Sequence, residues 1–354
     1  MGLPLVSVLI TAHNYGRFIE EAIESAMSQD YPGDRMELVI VDDGSTDDTA
    51  ERVRKYGTKV RYYWKPNGGQ ASAINLGLAN ACGEIVALLD ADDLFLPGKL
   101  THIVAAFQQN PTLGMVYHPL LEWYLQTGER RERHFPGISG DIYKVPDRFL
   151  SYYAEPASCI SFRRTALNPL LPIPEEIRMM GDGYLITLIP FLSPILAIPE
   201  FLALYRIHGK NNYATDEREC SLEFRKSRLL MWQVLIDAMR KWLGNNGYTR
   251  KQAPVRAFLN YWSSFQARQR FEIEPPGRLS FFRFLVWENY ANRHDQTWKF
   301  TAYNYIVSLS ALLFGYKYRQ LMYEWKERTM KSIQSLVRRF TSADIKSKGP
   351  DVRV

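Results

Sequence analysis

Cysteine is scarce: Cys82, Cys159 and Cys220 are the only three in 354 residues, odd in number and far apart. That argues against a disulfide framework, gives no zinc-ligand spacing, and leads us to expect a reducing, cytoplasmic compartment. No segment offers roughly 18 clean apolar residues, so no ordinary transmembrane helix is expected. The opening MGLPLVSVLITAHN has neither the basic start nor the long apolar stretch of a signal peptide, and none is expected. Two nucleotide signatures are also missing. The first apolar strand is not followed by Gly-x-Gly-x-x-Gly, and there is no Gly-x-x-x-x-Gly-Lys-Ser/Thr loop, which disfavours both common nucleotide-binding routes.

What is present is unevenly charged. Residues 1–214 carry 19 Lys and Arg against 25 Asp and Glu, net −6, whereas residues 215–354 carry 25 against 13, net +12. The basic part is expected to face an anionic partner, membrane or nucleic acid. No nucleic-acid-binding module is recognisable, so none is expected as a partner.

The first half alternates. LVSVLITA (5–12) is an apolar, β-branched strand, and 17–29 spaces Phe18, Ile19, Ala22, Ile23, Ala26 and Met27 as a helix. A second strand breaks into a Gly/Ser/Thr turn over 36–49, and a helix follows to Gly57. Then come a strand at 60–66, a small-residue helix at 69–82, a strand from Ile85, a helix at 98–110 and a strand region at 113–128. Strands alternating with helices predict a mostly parallel, helix-covered α/β sheet.

In such sheets, ligands bind outside the carboxyl ends of the strands. Three ends are polar or acidic: Thr11 to Asn14, Asp42 with Asp43, and Asp90, Asp92 and Asp93. Helix capping is the better reading for Asp47 or Asp48. For the acids at 90–93, mutual repulsion makes capping a poor explanation, and a hard divalent cation with substrate phosphates would compensate them. Arg163 and Arg164 read either as acceptor or phosphate contacts or as a solvated edge, the latter being favoured. His118 and His134 carry no motif.

These segments resemble the inverting family-two glycosyltransferases of the GT-A fold. VSVLITAHNYGRFIEEAIESAMSQDYP is similar to that family's first strand and helix, and LVIVDDGSTDDT to its second strand and turn. GGQASAINLGLANACGEIVALLDADD resembles the approach to its Asp-x-Asp motif, MGDGYLITLI the segment bearing its base, and YRIHGKNN its Arg-x-His segment. The resemblance covers about residues 5–215. It implies that Thr11 and Asp43 contact the nucleotide base, most often uracil, with Asn14, Asn67 and Gln70 lining that pocket. Asp90 would face ribose or metal, Asp92 would ligate Mn²⁺ or Mg²⁺ with help from His208, and Arg206 would support the phosphates. Asp182 would be the general base; Gly181 stands where many relatives have Glu.

The expected activity is therefore metal-dependent, inverting transfer of a sugar from a nucleotide-diphosphate donor, UDP-linked by resemblance, to a glycan or lipid-linked acceptor. A catalytically silent glycan-binding or scaffold protein is the alternative from another class. It is expected to have lost Asp92 or Asp182, and both are present. A sugar nucleotidyltransferase is disfavoured, because TAHNYGRF supplies no Gly-rich basic loop.

The expected domains are 1–215, catalytic; 216–342, a basic helical extension; and 343–354, a disordered tail. Helices are expected over 232–243 and 254–271. The apolar stretch 302–316 is too short for a span of about 20 residues, and 324–340 reads as a basic in-plane membrane helix. Peripheral attachment to the inner face of the plasma membrane is the expectation; a cap on the catalytic domain or a dimer element is the alternative.

Overall fold

The computed structural model describes residues 2–135, 137–145, 155–209, 211, 221–291 and 309. Its centre is a seven-stranded sheet in the order β10-β6-β9-β4-β1-β2-β3. The middle is β1 (Val6–Ala12), parallel to β2 (Met36–Asp42) on one side and β4 (Ile85–Asp90) on the other. β3 (Arg61–Trp64) extends the parallel set at the β2 edge. β9 (Ile160–Arg163) runs antiparallel between β4 and β6 (Met115–Tyr117), and β10 (Ile195–Ala197) closes the far edge parallel to β6. The central strands read as continuous apolar runs because helices cover both of their faces.

Alternation along β1 sorts those faces. Val6, Val8 and Ile10 pack with Ile19, Ala22, Ile23 and Ala26 of α1 (Gly16–Met27), and with Leu100, Ile103 and Phe107 of α4 (Lys99–Gln109). α2 (Thr49–Arg54) contributes Val53 to the same layer. Leu9 points the other way, onto Ala71, Ala73, Ile74 and Leu78 of α3 (Gln70–Asn80). α3 is built from small residues because it lies very close to the sheet. A Cβ on Gly77 would stand 2.2 Å from Leu9 Cδ1, so any larger side chain there would overpack the layer.

A second sheet has the order β5-β11-β7-β8, with β5 at Leu94–Phe95, β7 at Leu121–Tyr124, β8 at Arg130–Glu132 and β11 at Ala203–Ile207. β5 begins directly after Asp93 and pairs antiparallel with β11, Leu94 opposite Leu204. That register carries Arg206 and His208 to the acidic end of β4. After the short α5 (Arg164–Leu167), α6 (Gly181–Leu188) packs against α3 and against α7 (Leu222–Asn245).

α7 covers the 232–243 segment read as amphipathic, and its apolar face is core. Leu235, Ile236, Met239 and Leu243 are buried with the catalytic layers, and Trp242 donates its indole N–H to Pro169 O at 2.8 Å. The first compact unit accordingly runs from Met1 to Gln266, taking in α7 and the first part of α8 (Ala253–Ile273). The second unit, from Ala267, includes the end of α8 and α9 (Arg278–Ala291). Phe271, Phe281, Phe284 and Leu285 cluster there, and Arg268 pairs with the buried Glu288 at 2.7 Å. The stretches 302–316, Leu309 apart, and 324–340, the tail 343–354 and Cys220 lie outside the described residues. No helix among the described residues is long and apolar enough to cross a membrane.

Candidate active site at the strand ends

The parallel register aligns the carboxyl ends of β1, β2 and β4. Thr11 stands opposite Val41 and Asp90, and Ala12 opposite Asp42. Thr11, Gln70, Ile74 and Asp90 line a narrow crevice there with Leu9, Leu88 and Ala157.

The β2 end is a wired turn. Asp43 is buried and accepts from Lys65 Nζ at 2.7 Å and from the amides of Gly68 at 2.9 Å and Gly69 at 2.7 Å. Asp42 accepts from Ser45 N and from the Tyr62 hydroxyl. Asn14 holds φ at 61° and its amide oxygen accepts from Thr46 N at 2.7 Å, so it ties the turn after β2 to the end of β1. Asn14, expected to line the base pocket, is exposed and has its oxygen engaged by this turn. Asp47, read as a cap, accepts from Thr49 N and also from Gly16 N, joining the starts of α2 and α1.

His13, which sequence reading passed over, is exposed at this rim. Its Nδ1–H donates to Asp43 O at 2.9 Å, and its other ring nitrogen accepts from Asn67 Nδ2 at 3.2 Å. Asn67 Oδ1 in turn accepts from Arg178 Nη2 at 2.6 Å. Gln70 stands elsewhere than expected. Its backbone N–H donates to Arg178 O at 2.8 Å, and its side-chain oxygen accepts from Gly181 N at 2.9 Å. It therefore joins α3 to the start of α6 while lining the crevice at the strand ends.

The β4 end collects the carboxylates. Asp90 is half-buried, and its pKa is pushed well up by burial and then by Asp93, Asp92 and Asp182. Asp93 is fully buried; burial and Asp92 push it up as well, while Ser158 and Arg206 oppose the shift. Ser158 donates to Asp93 Oδ2 at 2.6 Å and accepts from Asp90 N at 3.1 Å. Asp92 Oδ2 lies 3.0 Å from His208 Nε2, whose ring packs 4.8 Å from that of Phe18. Burial and then the charges of Asp92, Asp90 and Asp93 raise the Tyr15 hydroxyl pKa.

Arg206, expected to support the phosphates, is 1% exposed. Its Nε donates to the Asp92 carbonyl, Nη1 to Glu21 Oε2 at 2.7 Å and Nη2 to Phe18 O at 3.2 Å. The guanidinium braces the acidic loop from its buried side.

A further support was invisible in the sequence. Lys99 is fully buried, with Nζ 2.6 Å from His118 Nε2 and 2.9 Å from the Ser158 carbonyl. Burial lowers the Lys99 pKa to about 7, and burial and Lys99 together push His118 well down. His118, motif-free, is thus a packed partner of the strut that carries Ser158. Arg163 donates to the carbonyls of Leu113 and Phe107 and is structural.

Asp182 is half-buried in the first turn of α6, and burial raises its pKa. The amides of residues 183 and 182 and the Gln70 side chain oppose that rise. Met180, which precedes the helix, holds φ at 67°. That left-handed conformation costs a non-glycine residue about 1–3 kcal/mol, so the surroundings must enforce it.

An uncharacterized glycosyltransferase of Nostoc sp. is 36% identical to the chain over 226 residues, 60% of this chain and 70% of the relative. The chain belongs to glycosyltransferase family 2. The family model, Glycosyl transferase family 2, matches residues 7–170. Chondroitin synthase of Pasteurella multocida is 39% identical over 118 residues, 32% of this chain but only 12% of that synthase. S. aureus TarS 1–349, solved in complex with UDP-GlcNAc, superposes with a TM-score of 0.53 at 18% identity, over 89% of this chain and 92% of that one. This second likeness shows the fold alone, and it is the expected GT-A fold. The family-two glycosyltransferase thus has its acids at the strand ends, as the α/β rule requires.

The bracing role of Arg206 has a measurable consequence. Arg206→Gln should cost about 3–5 kcal/mol, read as a lower urea midpoint, because it strips a buried network of its cation. Glu21→Gln should cost less than about 1 kcal/mol, since the Glu21 side chain is 56% exposed. A wild-type midpoint for Arg206→Gln, with only UDP binding weakened, would restore the phosphate reading.

Proposed function

We propose that the enzyme transfers a sugar from a UDP-linked donor to a hydroxyl of a glycan or lipid-linked acceptor, with inversion. One observation carries this reading. A half-buried carboxylate at a helix start, Asp182, lies close enough to Asp90 to raise its proton affinity, so a second acid stands by the acidic end of β4. In that arrangement Asp182 takes the proton of the acceptor hydroxyl. The oxygen forms a bond to the anomeric carbon, the bond to the donor phosphate oxygen breaks, and the nucleoside diphosphate leaves. Thr11 and the turn built on Asp43 form the side nearest the base, and Asp90 the side nearest the ribose. The complex of TarS with UDP-GlcNAc supports the choice of a nucleotide sugar.

The donor set suits a divalent cation. Asp90 and Asp93 are carboxylates raised first by burial and then by their neighbours' charge, and it is the second that a cation relieves. Among the described residues, no three acids, histidines or cysteines surround a common point. Mg²⁺ and Mn²⁺ bind through one or two carboxylates plus substrate phosphates, so a complete protein cage is not required. Asp92 and His208 would hold the ion. When bound, it supplies Lewis-acid stabilisation to the departing diphosphate.

Asp182 acts as a base only when ionised. Burial raises its pKa above the ordinary 3.8, so kcat/KM should rise with pH through that raised value and fall below it. Asp182→Asn should lose this acid limb and about 10²-fold in turnover while UDP affinity holds. Stability runs the opposite way. A raised folded-state pKa contributes stability below 3.8 that is lost as pH rises through the folded value, so Asp182→Asn should be the more stable protein at neutral pH. Calorimetry showing UDP binding lost in step with turnover would make Asp182 a binding residue.

We also propose peripheral attachment to the anionic inner face of the plasma membrane. The net +12 after residue 214 supports it, as do eight Lys and Arg against two Glu from Lys299 to Arg339. Basic residues near such a surface gain about 1 kcal/mol each. The full-length chain should co-sediment with anionic vesicles more than neutral ones, less so at high salt, and truncation before Trp298 should release it. Indifference of the full-length chain to anionic vesicles would leave the basic stretch a cap or dimer element.

A further inference from the structure

Arg178 lies where the segment leading into α6 touches the turn beside Asp43. The approach is close: Gly69 holds φ at 91°, and a Cβ there would stand 2.6 Å from Arg178 Cα. Arg178 O accepts from Gln70 N at 2.8 Å, which fixes its backbone against the start of α3. From there the side chain reaches the exposed rim, and Nη2 donates to Asn67 Oδ1 at 2.6 Å. A guanidinium has no acceptor, so this contact decides which way round the Asn67 amide sits. The oxygen is turned to Arg178 and the NH₂ to His13, with Nδ2 3.2 Å from each ring nitrogen. His13 Nδ1–H donates to Asp43 O at 2.9 Å, which leaves Nε2 to accept. Asn14 repeats the arrangement: its oxygen accepts from Thr46 N at 2.7 Å, and its Nδ2 lies 3.3 Å from the same Nε2. Two NH₂ groups of fixed direction thus converge on one acceptor, and N–H hydrogens are in surplus at this rim.

We infer that Arg178 is a specificity-determining residue for the base of the donor. By holding Asn67 by its oxygen, it keeps the NH₂ end turned toward the ends of β1 and β2. A nucleotide seated there meets N–H groups, and it binds best when its base presents a carbonyl oxygen to them. Uracil carries a carbonyl at the ring position where cytosine carries an amino group. The rim therefore accepts the first and sets donor against donor with the second, a mismatch that leaves hydrogens unpaired. This rests on the reading of the Asp43 turn as the side nearest the base. It adds to that side a residue from the segment bearing Asp182, more than 100 residues away in the chain.

The test titrates UDP and CDP, each with Mn²⁺, into the full-length chain and reads the ratio of the two affinities. The wild type should favour UDP by roughly tenfold or more, the worth of one hydrogen bond made against one left unmade. Arg178→Met frees the Asn67 amide to turn round, and the ratio should fall by about fivefold or more. Asn67→Asp puts an acceptor where the NH₂ stood and should carry the preference toward CDP. It serves if Arg178→Met does not fold, and a wild-type ratio in Asn67→Asp then overturns the inference. An unchanged ratio in a folded Arg178→Met overturns it too. That includes the case where both nucleotides bind more weakly by one factor, which marks Arg178 as a phosphate contact. A wild type that binds UDP and CDP alike also overturns it, while leaving the transferase reading intact. A wild type that binds neither nucleotide contradicts the nucleotide-sugar reading itself, and this inference falls with it.

Discussion

Asp90, Asp92 and Asp93 crowd three like charges into four residues at the end of a buried strand, and much of the surrounding structure restrains them. Arg206 reaches under the loop to its carbonyls, Ser158 bonds one carboxylate and one amide, and His208 pairs with Asp92. Lys99 and His118 then hold Ser158 from a further layer in. Ser158, Arg206 and His208 come from distant parts of the chain, and the β5–β11 pairing brings the last two to the acids. These partners compensate the crowding only in part, since Asp90 and Asp93 keep raised proton affinities. That is the setting in which we propose a bound cation.

The opposite wall follows another logic. Between α3 and α6 there is little charge and very close backbone contact, achieved through Gly69 and Gly181. The β2 turn is closed by Asp43 on Lys65 and two amides, and Asn67 passes a hydrogen bond on to Arg178 just before α6. The loop beside the expected base pocket and the segment bearing Asp182 are thus parts of one hydrogen-bonded wall. Precision in such a site comes from rigid elements and close packing, with few side chains left free to swing.

Much of this was legible in the sequence for identifiable reasons. Continuous apolar runs announced buried parallel strands, and acids directly after them announced the ligand edge. Small residues over 69–82 announced a helix lying close to the sheet. Side-chain direction was not legible. Arg206 lies in a segment that the family resemblance assigns to phosphate, yet the β11 register turns it inward, and no local pattern encodes that turn. Asn14 and Gln70 were expected to line the pocket because the family resemblance implies it. Their amides also satisfy backbone groups of loops more than 30 residues away. Lys99 and His118 were unreadable for the same reason: their pairing depends on a contact between residues 19 apart that only the folded sheet creates. The 232–243 segment was expected as a helix, and its apolar side packs into the core of the first unit.

The central claim is that the acidic end of β4 holds a divalent cation together with the diphosphate of the donor. The most direct measurement is calorimetric titration of UDP into the full-length protein, with Mn²⁺ and then in EDTA, for the wild type and for Asp92→Asn. The account predicts binding that requires the cation and is lost in Asp92→Asn while the folded protein persists. UDP binding of equal strength in EDTA, or undiminished in Asp92→Asn, would contradict it.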